Sequence, residues 1–541
     1  MPDSRTSAPS SAPWRALLLV HLVALACLGI FLGWQMRPVP MHDLQLAEGE
    51  RLKCVSYAPY RLPGQTPFDE TLKIPRAQIV DDLTALSRMT ECVRLYSVDQ
   101  GLDQVPGVAR EVGLKVLLGA WISVDRKRNA RELDHAIRVA NDNADVVRML
   151  IVGNEVMLRR ERTEDELREL IEYAKARAKV PVTYADVWEF WLKHASLARA
   201  VDRVTVHILP FWEDKPVSVE QAIEHVATVF EEVRQHFDKP VMIGETGWPS
   251  AGRQREASAP SQVNQARYIR EFVHRAHDEG WDYNLIEAID QPWKRRLEGT
   301  VGGYWGVLDV ELKPKFPLAG TVSERDDVAA PLVGAALGAL LCLGLVATGP
   351  RSARSALHLA AVAAIGATAG LVTVLDWEHA RLAYRDASEW VLLGTLFGVG
   401  LLVPLVLSRS PAEVGIRSGA AAWSALRTRG AHAIEPSTLL GLLRVMLLFA
   451  AAVAALLLFA DPRYRDFPTL LFLVPALAFG PAGWFRENVF AIEERICAIV
   501  IAVCVIGRWL PEPANPQAIA WLVTGLLLAA PTLRAGARED E

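Results

Sequence analysis

Two patterns of hydrophobic and polar positions divide the chain. Between residues 50 and 320, short β-branched or Leu-rich runs alternate with longer stretches whose apolar positions recur at helical spacing. The runs fall near 52–57, 92–97, 114–120, 147–153, 181–185, 203–208, 240–244 and 284–289. The stretches between them carry helix-start signals. Pro75 stands at a favoured first-turn position, and Thr163-x-x-Glu166 and Ser218-x-x-Gln221 have capping-box spacing. Strand alternating with helix argues a parallel sheet. Eight such units over about 270 residues match an α/β fold of the closed (β/α)8 TIM-barrel type. A doubly wound open sheet is the alternative, but it would carry a Gly-rich phosphate turn after the first strand, and none stands there.

The second pattern is continuous hydrophobicity. Residues 16–34 form an apolar run of about the length that spans a bilayer, with Arg5 and Arg15 before it and no clean small-x-small cleavage site after it. It reads as an uncleaved anchor. Seven more spans are expected at 328–348, 356–375, 389–407, 439–460, 467–485, 489–507 and 517–533, the last pairs separated by the short Arg486-Glu487 stretch and by polar turns. With a cytoplasmic N-terminus, Arg351 and Arg354, the loop holding Arg409, Arg417, Arg427 and Arg429, and finally Arg534 and Arg538 all fall inside. Outer-loop charges Asp376, Glu378, Arg381, Arg385 and Asp386 nearly cancel. The predicted organisation is therefore a cytoplasmic segment 1–15, an anchor 16–34, an extracytoplasmic catalytic barrel 40–325, a seven-span all-α membrane domain 328–533 and a cytoplasmic tail 534–541. Gly334/Gly338, Gly366/Gly370 and Gly394/Gly398 have the spacing of close helix packing, and Arg444, inside an apolar run, is expected to snorkel to the cytoplasmic edge.

Composition alters this picture little. A net charge of -5 and the lack of a basic stripe argue against nucleic acid. No two of the six cysteines have metal-ligand spacing. Cys54 and Cys92 sit in strand-like runs, and two readings stay open: a disulfide if those strands are neighbours, or two small buried residues.

In a (β/α)8 barrel, chemistry sits where the strands end at their C-terminal side. Here those ends are polar and aromatic. They offer Tyr57, then Arg94 and Tyr96, Trp121, Asn154-Glu155, Asp186, His207 with Trp212, Glu245 with Trp248, and Glu287, Asp290, Trp293 and Lys294. Glu155 and Glu245 each close an apolar strand, the fourth and the seventh, whose ends can face each other across the mouth. Two facing carboxylates are the minimum equipment for glycoside chemistry. One must hold its proton, and burial together with the like charge of its partner is expected to raise its pKa. The bland alternative is a solvated loop acid or an ion pair with Arg94.

The motifs VGNEV at 152–156, HILPFW at 207–212, GETGWPS at 244–250 and EAIDQPWK at 287–294 resemble glycoside hydrolase family 17. More closely, the chain resembles the bacterial membrane-bound branch linked to β-1,3- and β-1,6-glucan formation. The resemblance covers residues 52–318, and its specific part is Asn-Glu followed about 90 residues later by Glu-Thr-Gly-Trp-Pro. It implies that Glu155 is the acid/base and Glu245 the nucleophile of a retaining mechanism, with the carboxylates about 5 Å apart. Asn154 would bond the sugar 2-hydroxyl. Tyr57 and Tyr96 would stabilise the nucleophile or touch sugar hydroxyls, against rim packing. His207 would orient Glu245 or a sugar, against a satisfied strand-end histidine. Arg94, if buried, needs a carboxylate partner. Trp212, Trp248, Trp293 and Trp305 are candidates to stack on sugars, with some of them core. The loop 251–260 is a lid candidate. The implied partners are a β-glucan substrate, a sugar acceptor, the lipid bilayer, and a glucan synthase or exporter. No cofactor and no metal are expected. Hydrolysis and transfer use the same carboxylates, so both stay open. A dead-barrel glucan sensor would lack one carboxylate, and a transporter would carry several paired intramembrane charges.

Overall fold

The computed structural model describes residues 12–44, 51–348, 355–410, 415–485 and 489–534. Arg5, Arg351, Arg354, Arg538 and the Arg486-Glu487 stretch, which enter the orientation and span arguments, lie outside the described residues. The chain divides into two units, residues 38–323 and residues 1–37 with 324–541.

In the first unit eight parallel strands close a barrel in sequence order: β1 (Val55–Ser56), β2 (Cys92–Arg94), β3 (Lys115–Ala120), β4 (Val147–Asn154), β5 (Val182–Val187), β6 (Arg203–His207), β7 (Val241–Thr246) and β8 (Tyr283–Leu285). Val55 pairs with both Val93 and Leu285, which closes the ring. Each strand falls where the hydrophobic runs place it. β1, β2 and β8 are shortened, because their runs continue as irregular backbone: Tyr57 N–H donates to the Arg94 carbonyl, Leu95 N–H to the Leu117 carbonyl and Ala288 N–H to the Ser56 carbonyl.

Side chains alternate between the barrel interior and the helices outside. Cys54, Cys92, Leu117, Met149, Ile151, Ala185 and Met242 form a small inner cluster. Val55, Val93, Val116, Leu118, Leu150, Val152 and Ile243 belong to a separate, larger core shared with helix residues such as Ile79, Leu83 and Leu133. Burying each such aliphatic side chain stabilises by about 1.5–3 kcal/mol. The register of β1 on β2 sets Cys54 beside Cys92, and the two form a disulfide with Cα atoms 4.4 Å apart.

The helix signals are met unevenly. Thr163 and Glu166 make a reciprocal capping box on helix Glu164–Lys175. Ser218 occupies the N-cap of helix Val219–His236, yet its side chain makes no capping bond. Pro75 is the residue just before helix Arg76–Leu86, at its N-cap rather than inside its first turn.

The second unit is all helix. Among the described residues, six helices are long and apolar enough to cross a membrane: Ala12–Gln35, Ala329–Ala347, Ala356–Ala383, Ala387–Ser408, Pro436–Ala460 and Pro516–Arg534. Thr469–Trp484 is apolar but shorter. Helix Ile492–Trp509 occupies the expected sixth position after the barrel, but Glu493 and Glu494 stand in its first turn. Gly338 and Gly366 pack backbone to backbone, since a Cβ on Gly338 would fall 2.1 Å from the Gly366 carbonyl oxygen; Gly334 and Gly370 meet in the same way. Gly394 and Gly398 do not act as a packing pair, because a Cβ on either meets nothing within 4 Å. Arg444 does not snorkel. It is buried, with Nε donating to Glu494 at 2.9 Å and Nη2 donating to the carbonyls of Arg417 and Val489. A guanidinium paired with a buried carboxylate and two carbonyls has partners in place of water. The carboxylate comes from Glu494, in the first turn of a helix 50 residues further along, a pairing that hydropathy along the chain does not register.

Candidate active site

The inward phase of β2 continues from Cys92 through Arg94 to Tyr96, and that of β1 from Cys54 to Ser56. These side chains meet Glu245, the penultimate residue of β7, which is 4% exposed. Tyr96 donates its hydroxyl to Glu245 Oε1 at 2.8 Å, and Arg94 Nη1 donates to the same oxygen at 3.1 Å. Asn284 Nδ2 donates to Ser56 Oγ, which lies 2.8 Å from the Tyr96 oxygen, so an aligned run of hydroxyls ends on the carboxylate. Burial, followed by the charges of Glu245 and Glu287, raises the Tyr96 pKa well above its usual value and keeps it a donor. Arg94 is 1% exposed and also donates to the Gly244 carbonyl at 2.7 Å and to Asn154 Oδ1 at 2.5 Å.

Glu155 follows β4 through a left-handed turn, with φ of 83° at Gly153 and 53° at Glu155 itself. Its Oε1 lies 2.8 Å from His207 Nδ1. His207 is fully buried at the end of β6, and its Nε2 is 3.6 Å from Glu245 Oε1. Gly244 makes room for the ring: a Cβ there would fall 2.5 Å from Thr205 Cγ2 and 3.1 Å from His207 Cδ2. Glu155, His207 and Glu245 thus place donor atoms within 4.8 Å of one another. That spacing is one a metal ion can use, but Arg94 already sets a fixed cation against Glu245, and the array is satisfied as hydrogen bonds and ion pairs.

The expected rise in an acid's pKa is not found at Glu155. Burial pushes it up, but the hydrogen bond and charge of His207, with Arg159 and Arg94, outweigh burial and leave it below its usual value. The raised carboxyls lie beside the pair. Burial lifts Glu287 to about 7, against the opposing charge of Lys294 and with help from Glu298 and Glu245. Lys294 donates to Glu287 and is itself held protonated, because Glu287 and Glu298 outweigh its burial. Glu287 Oε2 has no partner among the described residues. Asp290 is lifted to about 6 by burial and accepts from Lys315 Nζ at 2.8 Å and Gly306 N–H at 2.9 Å.

Three expected site residues stand elsewhere. Tyr57 falls on the outward phase of β1 and donates to Asp82 of helix Arg76–Leu86 at 2.8 Å. Asp186 turns beneath the loop after Glu155, where it accepts from the Tyr184 hydroxyl and from the N–H groups of Met157 and Val187. It braces that loop and is fully buried. Trp248 is also fully buried, stacked on Tyr268 with Nε1 donating to the Ala259 carbonyl at 3.0 Å. Of the remaining indoles, Trp305 is buried, and it stacks on the half-buried Trp212 at 6.1 Å. Trp293 is half-buried, its Nε1 donating to Gln291 and its ring flanked edge-on by Tyr60 and Phe68. The loop 251–260 is tied down by Arg255 donating to Phe211 and Ser258 to Val217, which removes the lid reading. Sequence reasoning passed over Ser56, Asn284 and Arg159, whose guanidinium covers the Trp121 ring at 4.3 Å. Asn284 left a signal: a polar residue between Tyr283 and Leu285 in an otherwise apolar strand.

With this geometry in hand, comparison is direct. Residues 54–306 match the BtgE/BtgC glycoside hydrolase domain. A probable glucan endo-1,3-beta-glucosidase of Aspergillus clavatus is 27% identical over 47% of this chain, which spans only 41% of that protein. A glucan 1,3-beta-glucosidase of Arthroderma benhamiae is 28% identical over 50% of this chain and 96% of its own length. Among solved structures, the family 17 beta-1,3-glucanosyltransferase of Rhizomucor miehei has 23% identity and a TM-score of 0.44, covering 50% of this chain and 98% of that one. Over residues 54–306 the barrel is therefore similar to the BtgE/BtgC glycoside hydrolase domain, in keeping with the family 17 motifs that the sequence carries.

Proposed function

We propose that the barrel is a retaining, β-1,3-glucan-active glycosidase or transglycosylase, with Glu245 as nucleophile and Glu155 as acid/base. The observation that carries this reading is the pair itself: carboxylate oxygens within 4.8 Å, one of them fixed by Tyr96 and Arg94. Retaining enzymes hold their carboxyls about 5–5.5 Å apart, too close to seat a water between sugar and base. Two hydrogen bonds to one oxygen of Glu245, from the Tyr96 hydroxyl and the Arg94 guanidinium, hold it aimed, as an attacking group must be. Glu155 is less buried, hydrogen-bonded on one oxygen, and open to a leaving group on the other. The names of the relatives support β-1,3-glucan as the substrate class.

The glucosyl group on Glu245 has two fates. Water gives hydrolysis; a sugar hydroxyl gives elongation or β-1,6 branching, as in a glucan synthase-type transferase. Attachment at a membrane favours remodelling a chain as it emerges, so transfer is our first reading. The Cys54–Cys92 disulfide and the six apolar helices support a barrel on the outer face of a cytoplasmic membrane.

The test uses the full chain in detergent with laminari-oligosaccharides. Longer or branched products establish transfer and shorter ones hydrolysis, while no turnover of any β-glucan sinks the enzyme reading. Glu245→Ala should abolish covalent labelling by a 2-fluoroglucoside, whereas Glu155→Ala should still trap it slowly. The reverse pattern would exchange the two roles.

A further inference from the structure

Exposed apolar side chains of the barrel unit gather at its mouth. Among the described residues of that unit, the exposed large hydrophobic side chains are Leu62, Phe68, Val124, Leu158, Tyr173 and Leu297. All but Tyr173 follow the C-terminal end of a strand, on the catalytic face: Leu62 and Phe68 after β1, Val124 after β3, Leu158 after β4 and Leu297 after β8. Single hydrophobics scattered over a surface mean little, but a set confined to one face marks a contact surface. The two sides of the rim differ. After β1 and β8 an aromatic pair is included, Phe68 standing edge-on to Trp293 at 5.6 Å. After β3 and β4 the exposed groups are aliphatic alone. Val124, 71% exposed, is held out by Asn129, which accepts from Ser123 N–H at 2.9 Å and donates to the Ser123 carbonyl at 2.7 Å. Leu158 is fixed through its backbone, because Asp186 Oδ2 accepts from the N–H groups of Met157 and Leu158 at 3.2 and 3.4 Å. Arg159 joins the two loops by donating to the carbonyls of Ile122 and Asn154. Its guanidinium also covers the Trp121 ring, so one face of the indole on this side is already occupied.

These two loops flank Glu155, which stands three residues before Leu158. An acid/base must reach the glycosidic oxygen, so the group that leaves lies on the Glu155 side. There the fixed valine and leucine gain by covering methylene groups and give a sugar hydroxyl no partner. We propose, on the retaining reading above, that the donor is a lipid-linked β-glucan. Its leaving group is an aliphatic alcohol seated on Val124 and Leu158, and its sugars run across the mouth toward Phe68 and Trp293. In the first step the bond between C1 and the lipid oxygen breaks, and its electron pair stays on that oxygen. The oxygen takes the proton of Glu155 while C1 bonds to Glu245. In the second step an incoming sugar hydroxyl gives its proton to Glu155 as its oxygen bonds to C1, and the C1 bond to Glu245 breaks. The products are a free lipid alcohol and a longer glucan. Attachment at a membrane, as proposed above, keeps such a donor in supply.

The experiment gives the full chain in lipid nanodiscs a methyl or an octyl β-laminaribioside as donor, with laminaritriose as acceptor. The octyl glycoside should have a kcat/KM about ten-fold or more above that of the methyl glycoside. That preference should fall about ten-fold when Val124→Ser and Leu158→Ser are combined, and should persist when Val124→Leu and Leu158→Met are combined. Partition of the octyl chain into the bilayer is common to every variant, so the change in preference reads the two side chains. Both positions are exposed, so neither pair of substitutions opens the core. Citronellyl and diacylglyceryl forms of the same glycoside then separate a prenyl from an acyl lipid, and turnover of either above the methyl form supports the proposal. Equal kcat/KM for the methyl and octyl glycosides, or a preference unmoved by the serine pair, would overturn it while turnover of laminaripentaose left the enzymatic reading standing. Failure of the unaltered chain to turn over laminaripentaose and both glycosides would remove that reading, and the lipid donor with it.

Discussion

At the scale of single residues, pattern finds which side chains are special and phase decides where they point. Glu155, Glu245, Arg94 and Tyr96 are legible because each ends an apolar strand on its inward phase. Tyr57 looks equivalent in sequence and is one position out, so it packs outside the barrel on Asp82. Trp248 is adjacent to the nucleophile motif and is buried, so truncation should act on stability before substrate. Trp248→Ala is expected to lower unfolding stability by about 3–5 kcal/mol, read by denaturant melts of the full chain. Glu132 was not legible at all, since nothing in its helix marks it. Its Oε1 accepts from Ser97, Val98 N–H and Trp121 N–H, and burial, then the charge of Asp99, raises its pKa to about 7. A carboxyl with a raised folded pKa contributes its full stability below its unfolded value near 4.5 and loses it as pH rises toward 7. The melting temperature of the unaltered protein should therefore fall across that window relative to Glu132→Gln, and a constant difference would disprove the assignment.

At the scale of elements, alternation of strand and helix was enough to place all eight strands, because a (β/α)8 unit repeats the same signal. What it could not supply was contact between elements far apart in sequence, such as the pairing of Arg444 with Glu494. The disulfide lies between these cases: it needed only the fact that β1 and β2 are neighbours. It closes a loop with a sequence separation of 38. Chain-entropy arguments assign such a crosslink up to about 4 kcal/mol. Double replacement of Cys54 and Cys92 by Ala should lower the barrel's melting transition and leave the helical unit's unchanged. In the helical unit the glycine spacings separate into real and apparent packing motifs. Gly338→Leu should destabilise the detergent-solubilised protein, because its Cβ meets the Gly366 backbone, whereas Gly394→Leu should be neutral.

At the scale of the whole molecule, the two hydrophobic patterns correspond to two units, a barrel of mixed composition and a unit of long apolar helices. Hydropathy locates the apolar helices well, because six of them exceed the length and composition needed to span a bilayer. It does less well where charge enters a helix, as in Ile492–Trp509. The orientation we propose makes a direct prediction. Cysteines introduced at exposed Lys313 and Ser424 should differ toward an impermeant thiol reagent in intact cells. The first should label from outside and the second only after the membrane is opened. Equal labelling would reject the orientation.

Glu155 occupies a left-handed backbone conformation that a residue with a side chain enters only at a cost. The acid/base role we propose for Glu155 thus sets a carboxylate at a position where the backbone favours glycine. Activity and durability oppose each other at this one site. Glu155→Gly should yield an inactive chain that melts later than its parent, by about 1 kcal/mol of added stability, and Glu155→Ala should not. The acid/base position would then be a place where drift toward a sturdier, silent barrel is always within one substitution.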